Sequence, residues 1–187
     1  MAMHIRVIAG ELRGRRLLYP GGRSVRPTME RTRASVFSTL QGRIRGAVFA
    51  DLFSAAGAVG IEALSRGAAL VHFVENDGPA LDCLRRNLEA CRVPAGKHSI
   101  HEADVFSFLE RGGLSAAAAE VVYADPPYGG DEIARLLSHF ERTAYGQLSV
   151  LVVEHGGTLE TRKLGGLEAV RTRRFGETSV TYWERSG

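Results

Sequence analysis

The stretch "AVFADLFSAAGAVGIEALSRGA", residues 47–68, decides the fold. Its opening part, "AVFADLF", is apolar apart from Asp51 and predicts a buried strand. "SAAGAVG" then forms a turn that contains glycine, and residues 58–66 predict a helix that ends at Gly67. A buried strand, a glycine turn and a helix in succession are typical of a doubly wound α/β sheet.

The same alternation of strand and helix continues as far as residue 156. Further strands are predicted at "LVHFVE" (70–75), "HSIHEAD" (98–104), "EVVYAD" (120–125) and "LSVLVVEHG" (148–156). The spacing of apolar residues predicts helices at 79–92, 105–111 and 131–142. The last segment, 167–185, predicts two strands around Phe175-Gly176 that pair as an antiparallel hairpin. We therefore expect a doubly wound, mostly parallel, seven-stranded Rossmann-like α/β sheet with a terminal hairpin.

The N-terminal segment differs from the rest of the chain in pattern and in charge. Residues 1–26 have short alternating stretches broken by glycine and proline, which predicts a small basic β-hairpin arm before a larger domain over 27–187. A helix is predicted at 27–41, with Arg31 and Arg33 mostly off its apolar face. Residues 1–45 hold ten arginines against Glu11 and Glu30, a formal charge of +8, which leaves −5 on the remainder. Arginine suits phosphate, so this segment either binds nucleic acid or forms a solvated basic surface.

Composition excludes several classes of protein. The hydrophobic fraction of 44% and charged fraction of 24% are those of a globular protein. There is no apolar run of the length that a membrane helix needs, and residues 1–10 lack the apolar region of a secretion signal, so we expect a cytoplasmic protein. Cys83 and Cys91 do not form a C-x-x-C pair, and His98 and His101 have no further ligand cluster, so no metal is expected. The sequence has no obvious dimerisation stripe, which favours a monomer.

Acidic residues follow or end the first four strands of the predicted parallel sheet. They are Asp51, Glu75, Asp104 and Asp125. Ligands of open α/β sheets bind beyond the carboxyl ends of the strands, so these carboxylates predict a site there. Glu75 is placed to accept hydrogen bonds from a ribose diol, and Gly57 and Gly60 would let the backbone approach a ligand closely. Each acid alone would be read as a helix cap, but four at successive turns indicate a binding site.

The glycine turn points to the kind of cofactor. A dinucleotide-binding turn has the pattern G-x-G-x-x-G, whereas here Ala55 and Ala56 precede Gly57 and no phosphate cradle follows. The sequence therefore disfavours a nicotinamide oxidoreductase. A nucleoside cofactor without a pyrophosphate is favoured, and S-adenosylmethionine fits.

The stretch "VVYADPPYGG", residues 121–130, ends a strand in an unusual way. A strand cannot continue through Pro126 and Pro127, so Asp125 and Tyr128 are held in stiff backbone immediately after it. An acid and an aromatic ring fixed at the carboxyl edge of a sheet predict a substrate contact.

Five segments together resemble the RsmD-type bacterial 16S rRNA (guanine-N2)-methyltransferases, a family of class I S-adenosylmethionine-dependent enzymes. They are "RPTMERTR" (26–33), "DLFSAAGAVGIEALSRGA" (51–68), "FVEND" (73–77), "DPPY" (125–128) and "RFGETSVTYWER" (174–185). The resemblance covers nearly the whole chain. "DPPY" alone indicates only an amino-methyltransferase, and its combination with the basic arm and "EALSRGA" is far more specific. It implies that residues 27–187 form a methyltransferase domain.

The resemblance also implies roles for individual residues. Asp51 and the loop from Ala55 through Gly57 to Gly60 would lie against the methionine part of S-adenosylmethionine. Glu75 would bind the ribose hydroxyls and Asp104 the adenine amino group. The family usually has glycine where Ala55 stands, and a methyl group there narrows the loop or forces a different backbone conformation.

The target implied by the resemblance is N2 of one guanine in 16S ribosomal RNA, in the helix-31 loop, free or within an assembling small subunit. Asp125, Pro126, Pro127 and Tyr128 would form the catalytic segment: the Asp125 carboxylate and Pro126 carbonyl hold the amine protons, and the Tyr128 ring stacks on the base. Arginines would hold the RNA phosphates, namely Arg13, Arg15, Arg16, Arg26, Arg31 and Arg33, with Arg171, Arg173 and Arg174 as weaker candidates.

Two other functions use the same residues. A DNA adenine or cytosine amino-methyltransferase shares the "DPPY" chemistry, although this chain has few residues left for a target-recognition region. A non-catalytic RNA-binding protein of ribosome assembly would keep the basic arm and lose the cofactor loop at Ala55.

Overall fold

The computed structural model describes residues 3–20, 27–127, 129–159 and 163–186, without the side chains of residues 3, 4, 27 and 28. The helices in these ranges are Pro27–Thr39 (α1), Ala58–Ser65 (α2), Gly78–Ala90 (α3), Val105–Glu110 (α4), Gly113–Ala116 (α5) and Glu132–Arg142 (α6). The strands are Met3–Arg6 (β1), Arg16–Tyr19 (β2), Val48–Leu52 (β3), Leu70–Glu75 (β4), His98–Glu102 (β5), Val121–Ala124 (β6), Val150–Gly156 (β7), Leu167–Phe175 (β8) and Thr178–Arg185 (β9).

The large sheet has seven strands in the order β5-β4-β3-β6-β7-β9-β8. The pairs from β5 to β7 are parallel, and β9 lies antiparallel between β7 and β8. The predicted doubly wound sheet with a terminal hairpin is therefore confirmed. Because β9 is antiparallel to both of its neighbours, β8 runs in the same direction as β7. The carboxyl end of β8 thus lies at the same edge of the sheet as the carboxyl ends of β3, β4 and β6.

The sheet is buried on both faces, which explains why its central strands are nearly continuous apolar runs. Phe49, Val121 and Val152 belong to the core on the face covered by α1, α2 and α3. Ala50, Val122 and other alternate residues of the same strands belong to the core beneath α4, α5 and α6. The four-residue α5 was not predicted, since it is one turn in an alanine-rich segment that begins after Gly112.

The N-terminal hairpin β1–β2 forms a separate two-stranded sheet and packs against α3, on the side of the sheet that α1, α2 and α3 cover. Ile5, Val7 and Leu17 are buried there. The division predicted between residues 26 and 27 lies next to residues 21–26, which are outside the described ranges, and it stays a prediction.

Residues of "EALSRGA" on α2 hold this hairpin in place. The fully buried Glu62 carboxylate accepts the N–H groups of Ile8 and Ala9 at 2.8 and 3.0 Å. The Ser65 hydroxyl accepts the Leu12 N–H at 2.9 Å, and a Cβ at Gly10 would lie 1.8 Å from the Ser65 carbonyl oxygen. The "EALSRGA" segment therefore anchors the arm to the rest of the fold.

Within the described part of the chain, no helix combines the length and the apolar character that crossing a membrane would require.

Candidate active site

Acidic side chains lie at the carboxyl edge of the sheet on four successive parallel strands. Asp51 is the second-last residue of β3 and Glu75 is the final residue of β4. Asp104 follows β5 as the N-cap of α4, and Asp125 follows β6 directly. In the strand register, Leu52 pairs with Val74 on one side and with Ala124 on the other, so Glu75 and Asp125, each one residue further along, lie at one level. Asp51 lies two residues before that level, because it pairs with Phe73 and Tyr123. Their individual roles stay predictions.

Asp51 is buried and shapes the start of α2. Its Oδ2 accepts the Gly60 N–H at 2.8 Å. Burial, with a smaller contribution from the charge of Glu75, raises the pKa of Asp51 to about 8, and the Gly60 hydrogen bond offsets part of this. The carboxyl group thus ties β3 to the first turn of α2.

The two glycines of the turn have a packing role. Gly57 has a φ of 79°, and a Cβ on it would lie 2.3 Å from Leu84 Cδ1. A Cβ on Gly60 would lie 2.2 Å from Phe73 Cε1. Glycine is therefore required at both positions because side chains of α3 and β4 pack closely against the backbone there. The sequence did not indicate these neighbours.

Ala55 adopts the left-handed conformation, with a φ of 46°. Its N–H donates to Glu75 Oε2 at 2.8 Å, while the N–H groups of Asn76 and Asp77 donate to Oε1 at 2.8 and 2.9 Å. A non-glycine residue in this region costs about 1–2 kcal/mol. Ala55, which stands where the resemblance implies glycine, therefore keeps a glycine-like backbone, and the Glu75 hydrogen bond helps to hold it there.

Asn87 on α3 connects this turn to the N-terminal hairpin. Its Nδ2 donates to the carbonyl oxygens of Ala56 and Leu18, both at 2.9 Å, and its Oδ1 accepts the Leu18 N–H at 2.7 Å. The sequence analysis did not identify Asn87, because an asparagine within a helix carries no signal of its partners.

The groups around the turn match the needs of a nucleoside cofactor. The buried Ser54 Oγ has no hydrogen-bond partner among the described residues. The Phe53 and Phe106 rings lie edge to face with centroids 6.0 Å apart. Asp104 is exposed and uses Oδ1 to cap the Ser107 N–H at 2.9 Å. Carboxylates that accept from hydroxyl or amino groups, an unpaired hydroxyl and aromatic rings fit S-adenosylmethionine. Ser54 was missed by the sequence analysis, although a hydroxyl in a glycine turn was a usable signal.

The chain leaves the sheet at Asp125. The Asp125 N–H lies 3.5 Å from the Leu52 carbonyl oxygen, and its side chain is half-buried. Pro126 is buried, Pro127 is exposed, and Tyr128 lies outside the described residues. Asp125 is thus fixed between the end of β3 and a buried proline.

A buried tyrosine–glutamate pair supports this edge of the sheet. Tyr123 Oη donates to Glu154 Oε2 at 2.6 Å. Burial raises the pKa of Tyr123 well above its usual value of 10, and the charges of Glu154 and Asp125 raise it further. Tyr123 therefore stays neutral. Neither Tyr123 nor Glu154 was predicted as part of the site. The available signal was Glu154, an acidic residue within the apolar run of β7.

Histidines at the β4–β5 side contact one another. His101 Nε2 lies 2.9 Å from His72 Nδ1, whereas His98 Nδ1 is next to the Pro94 carbonyl oxygen. Within the described ranges, His, Cys, Asp and Glu side chains form no group of three or more that could hold a metal ion.

The prediction that Arg33 contacts RNA is wrong. Its side chain is only 5% exposed and lies 3.8 Å from the Glu62 carboxylate, and its Nη2 donates to the Arg6 carbonyl oxygen at 2.5 Å. Burial lowers its pKa, and the nearby Glu62 charge opposes this. Helical spacing placed Arg33 off the apolar face of α1, but the N-terminal hairpin covers that side. Arg33 thus supports the fold.

The other predicted arginines divide into two groups. Arg13, Arg15 and Arg16 are exposed and follow Leu12, which is bound at the C-terminal end of α2. That end lies toward the amino edge of the sheet, away from Asp125. Arg31 is exposed on α1. Arg26 lies outside the described residues.

Comparison with known proteins identifies the family. The family described as "Conserved hypothetical protein 95" matches residues 5–184. The chain is 30% identical to "Putative rRNA methyltransferase YlbH" of Bacillus subtilis over 188 residues, which cover 98% of this chain and 100% of that protein. The chain belongs to the RsmD-type methyltransferase family.

A curated sequence and a solved structure from Escherichia coli give further detail on this family. "Ribosomal RNA small subunit methyltransferase D" is 36% identical over 124 residues, which cover 66% of this chain and 60% of that protein. The solved structure "Putative methyltransferase yhhF" superimposes with a TM-score of 0.81 at 28% identity and covers 98% of this chain and 99% of that one. The family resemblance found in the sequence is thus confirmed.

Proposed function

We propose that this chain transfers a methyl group from S-adenosylmethionine to the exocyclic N2 amine of a guanine in 16S ribosomal RNA, in the cytoplasm. The observation that carries the proposal is Asp125, half-buried beyond β6 and level with Glu75 at the carboxyl edge of the sheet. The names of the relatives support a ribosomal RNA of the small subunit as the substrate. The helix-31 loop as the position is implied by the family resemblance.

The residues that would hold the cofactor lie between β3 and β5. Glu75 and Asp104 offer acceptors for hydroxyl and amino groups, and the Ser54 hydroxyl is free to pair with a polar group. Three backbone N–H groups already occupy Glu75, which has about four acceptor positions. If two ribose hydroxyls donate to Glu75, one of them would therefore share an acceptor position with a backbone N–H or displace that N–H. When bound, S-adenosylmethionine supplies a methyl group activated by its attachment to a positively charged sulfur.

Asp125 prepares the amine for attack. The lone pair of a guanine amine is delocalised into the ring, so the nitrogen is a poor nucleophile until its geometry is fixed. The Asp125 carboxylate and the Pro126 carbonyl would each accept one amine N–H, which turns the nitrogen toward the methyl group. The Asp125 carboxylate is also placed to take the proton that the nitrogen releases. Pro126 and Pro127 fix φ and hold both acceptors before the base arrives.

A neighbouring side-chain contact holds the strand end that carries Asp125. The neutral Tyr123 donates to Glu154 immediately below it, so the end of β6 is anchored to β7. The Tyr128 ring would stack on the extruded base, as base-modifying enzymes require.

Methylation of defined substrates tests the proposal. Purified protein and methyl-labelled S-adenosylmethionine are incubated with unmodified 16S rRNA, with small subunits assembled on that RNA, and with duplex DNA, and the nucleosides are separated by mass. The proposal expects N2-methylguanosine at one position of the RNA or the subunit. Labelled adenine or cytosine in DNA would favour a DNA amino-methyltransferase. Binding of 16S rRNA without any calorimetric response to millimolar S-adenosylmethionine would favour a ribosome-assembly protein.

A further inference from the structure

The edge strand β8 carries arginines whose orientation depends on a bulge. Leu167 and Ala169 face the core beneath α4–α6. The register with β9 shifts between Ala169 and Arg171, so that Arg171 and Arg173 pair with Tyr182 and Val180, which face α1. Without the extra residue, strict alternation would have turned both arginines to the opposite face. Bulges commonly re-aim side chains next to functional sites.

These arginines lie at the level of the candidate active site. Arg173 pairs with Val180, which pairs with Glu154 of β7. Val153, one residue before Glu154, pairs with Ala124, one residue before Asp125. Arg173 and Asp125 are therefore at the same height, three strand spacings or about 14 Å apart across the sheet. A few nucleotides of extended RNA span that distance.

Helix α1 adds a further arginine to this patch. Arg173 Nη1 donates to Ser35 Oγ at 3.0 Å, and Arg31 lies one helical turn before Ser35 on the same side of α1. Beyond the other end of α1, Arg43 pairs with Glu184, which lies level with the start of β7. Helix α1 thus runs from the carboxyl edge to the amino edge, and its N-terminal part with Arg31 lies on the side of Asp125. Arg31, Arg171 and Arg173 are all exposed.

We propose that Arg31, Arg171 and Arg173 bind the phosphates of the single-stranded RNA segment that flanks the target guanine. This inference rests on the proposed function and adds a second RNA contact beside the N-terminal arm. The two surfaces differ in position. The arm arginines Arg13, Arg15 and Arg16 lie toward the amino edge and reach RNA remote from the target, whereas the α1–β8 patch holds the strand that enters the site.

RNA binding as a function of salt tests the patch. The affinity for unmodified 16S rRNA is measured between low and physiological salt for the wild type and for Arg171→Gln/Arg173→Gln. The matched control is Arg45→Gln, an exposed arginine before β3 at the amino edge. Loss of two phosphate contacts on a single strand lowers the slope of log affinity against log salt by about 1.4. We expect this loss in the double variant, a raised KM for RNA with kcat kept at saturation, and unchanged S-adenosylmethionine binding.

The outcomes separate this inference from the function on which it rests. Wild-type protein that leaves 16S rRNA and small subunits unmethylated contradicts the proposed function and this inference together. If the wild type methylates the RNA but the double variant has the same salt slope and KM as Arg45→Gln, the proposed function stands. The inference that Arg171 and Arg173 contact phosphates is then contradicted. A second variant, Arg31→Gln, should lower the slope by about 0.7 and checks the patch independently of β8.

Discussion

The Oε2 atom of Glu62 accepts a hydrogen bond from the backbone N–H of Ile8 at 2.8 Å. The same carboxylate accepts the Ala9 N–H and pairs with Arg66, whose Nε lies 2.7 Å from Oε1. Glu62 is fully buried on the helix that follows the glycine turn. The N-terminal hairpin and the proposed cofactor loop are therefore joined through one short helix.

Replacing Glu62 with glutamine should destabilise the protein strongly. The glutamine amide has one acceptor oxygen where the carboxylate has two. The substitution also removes the negative charge that neutralises Arg33 and Arg66. We expect a loss of about 3–5 kcal/mol in the free energy of unfolding, the usual effect of breaking a buried ion pair. Urea denaturation measures it, with Glu89→Gln, an exposed acid of α3, as the control. Equal stability of the two variants would show that Glu62 does not anchor the hairpin.

Replacing Ala55 with glycine should stabilise the protein. Glycine removes the strain of a left-handed alanine, which is about 1–2 kcal/mol. It also raises the conformational entropy of the unfolded chain, which lowers the stability by about 0.4–1 kcal/mol. We expect a net gain of about 0.5–1 kcal/mol in urea denaturation. Ala134→Gly on the exposed side of α6 is the matched control and should lose about 1 kcal/mol. A loss at position 55 as large as the loss at 134 would contradict a strained Ala55.

The sequence predicted the sheet and its acidic edge because both depend on local patterns. Alternating apolar strands and helices define a parallel sheet, and an acid at the end of such a strand can lie only at the carboxyl edge. The burial of Arg33 depends on the hairpin that covers α1, and the pairing of Tyr123 with Glu154 depends on the register of β6 with β7. The bulge at the start of the arginine run in β8 also has no local signal. These features come from tertiary contacts between segments distant in the chain.

Replacing Asp51 with asparagine should change how stability depends on pH. Folded Asp51 keeps its proton up to about pH 8, whereas the unfolded chain releases it near its ordinary value of 3.8. The contribution of Asp51 to stability therefore falls as pH rises from about 4 to about 8 and is then constant. Asparagine accepts the Gly60 N–H without titrating. The stability of the variant relative to wild type should rise by up to about 1.4 kcal/mol per pH unit in this window.

Urea denaturation of both proteins at pH 5, 6, 7, 8 and 9 gives this difference directly. Because all other titrating groups are shared, they cancel in the comparison. Parallel stability curves for the two proteins would mean that the Asp51 carboxyl group ionises normally in the fold.

Replacing Asp125 with alanine should stop methyl transfer and leave cofactor binding intact. In the proposed mechanism the carboxylate orients the amine and takes its proton, and positioned proton acceptors contribute about 10²–10⁴-fold to rate. We expect a fall of at least about 100-fold in the single-turnover rate with 16S rRNA. Calorimetry with S-adenosylmethionine should give an unchanged Kd. Weakened cofactor binding at a normal rate of transfer would place Asp125 in the cofactor site instead.

A crystal structure with S-adenosylhomocysteine, the product of methyl donation, tests the central claim most directly. We expect density beyond the carboxyl ends of β3 and β4, with the ribose hydroxyls on Glu75 and the sulfur directed toward Asp125. Replacement of Glu75 with alanine should abolish that density under the same conditions. Density elsewhere on the molecule, with Glu75 still holding its three backbone N–H groups and no ligand, would contradict the account.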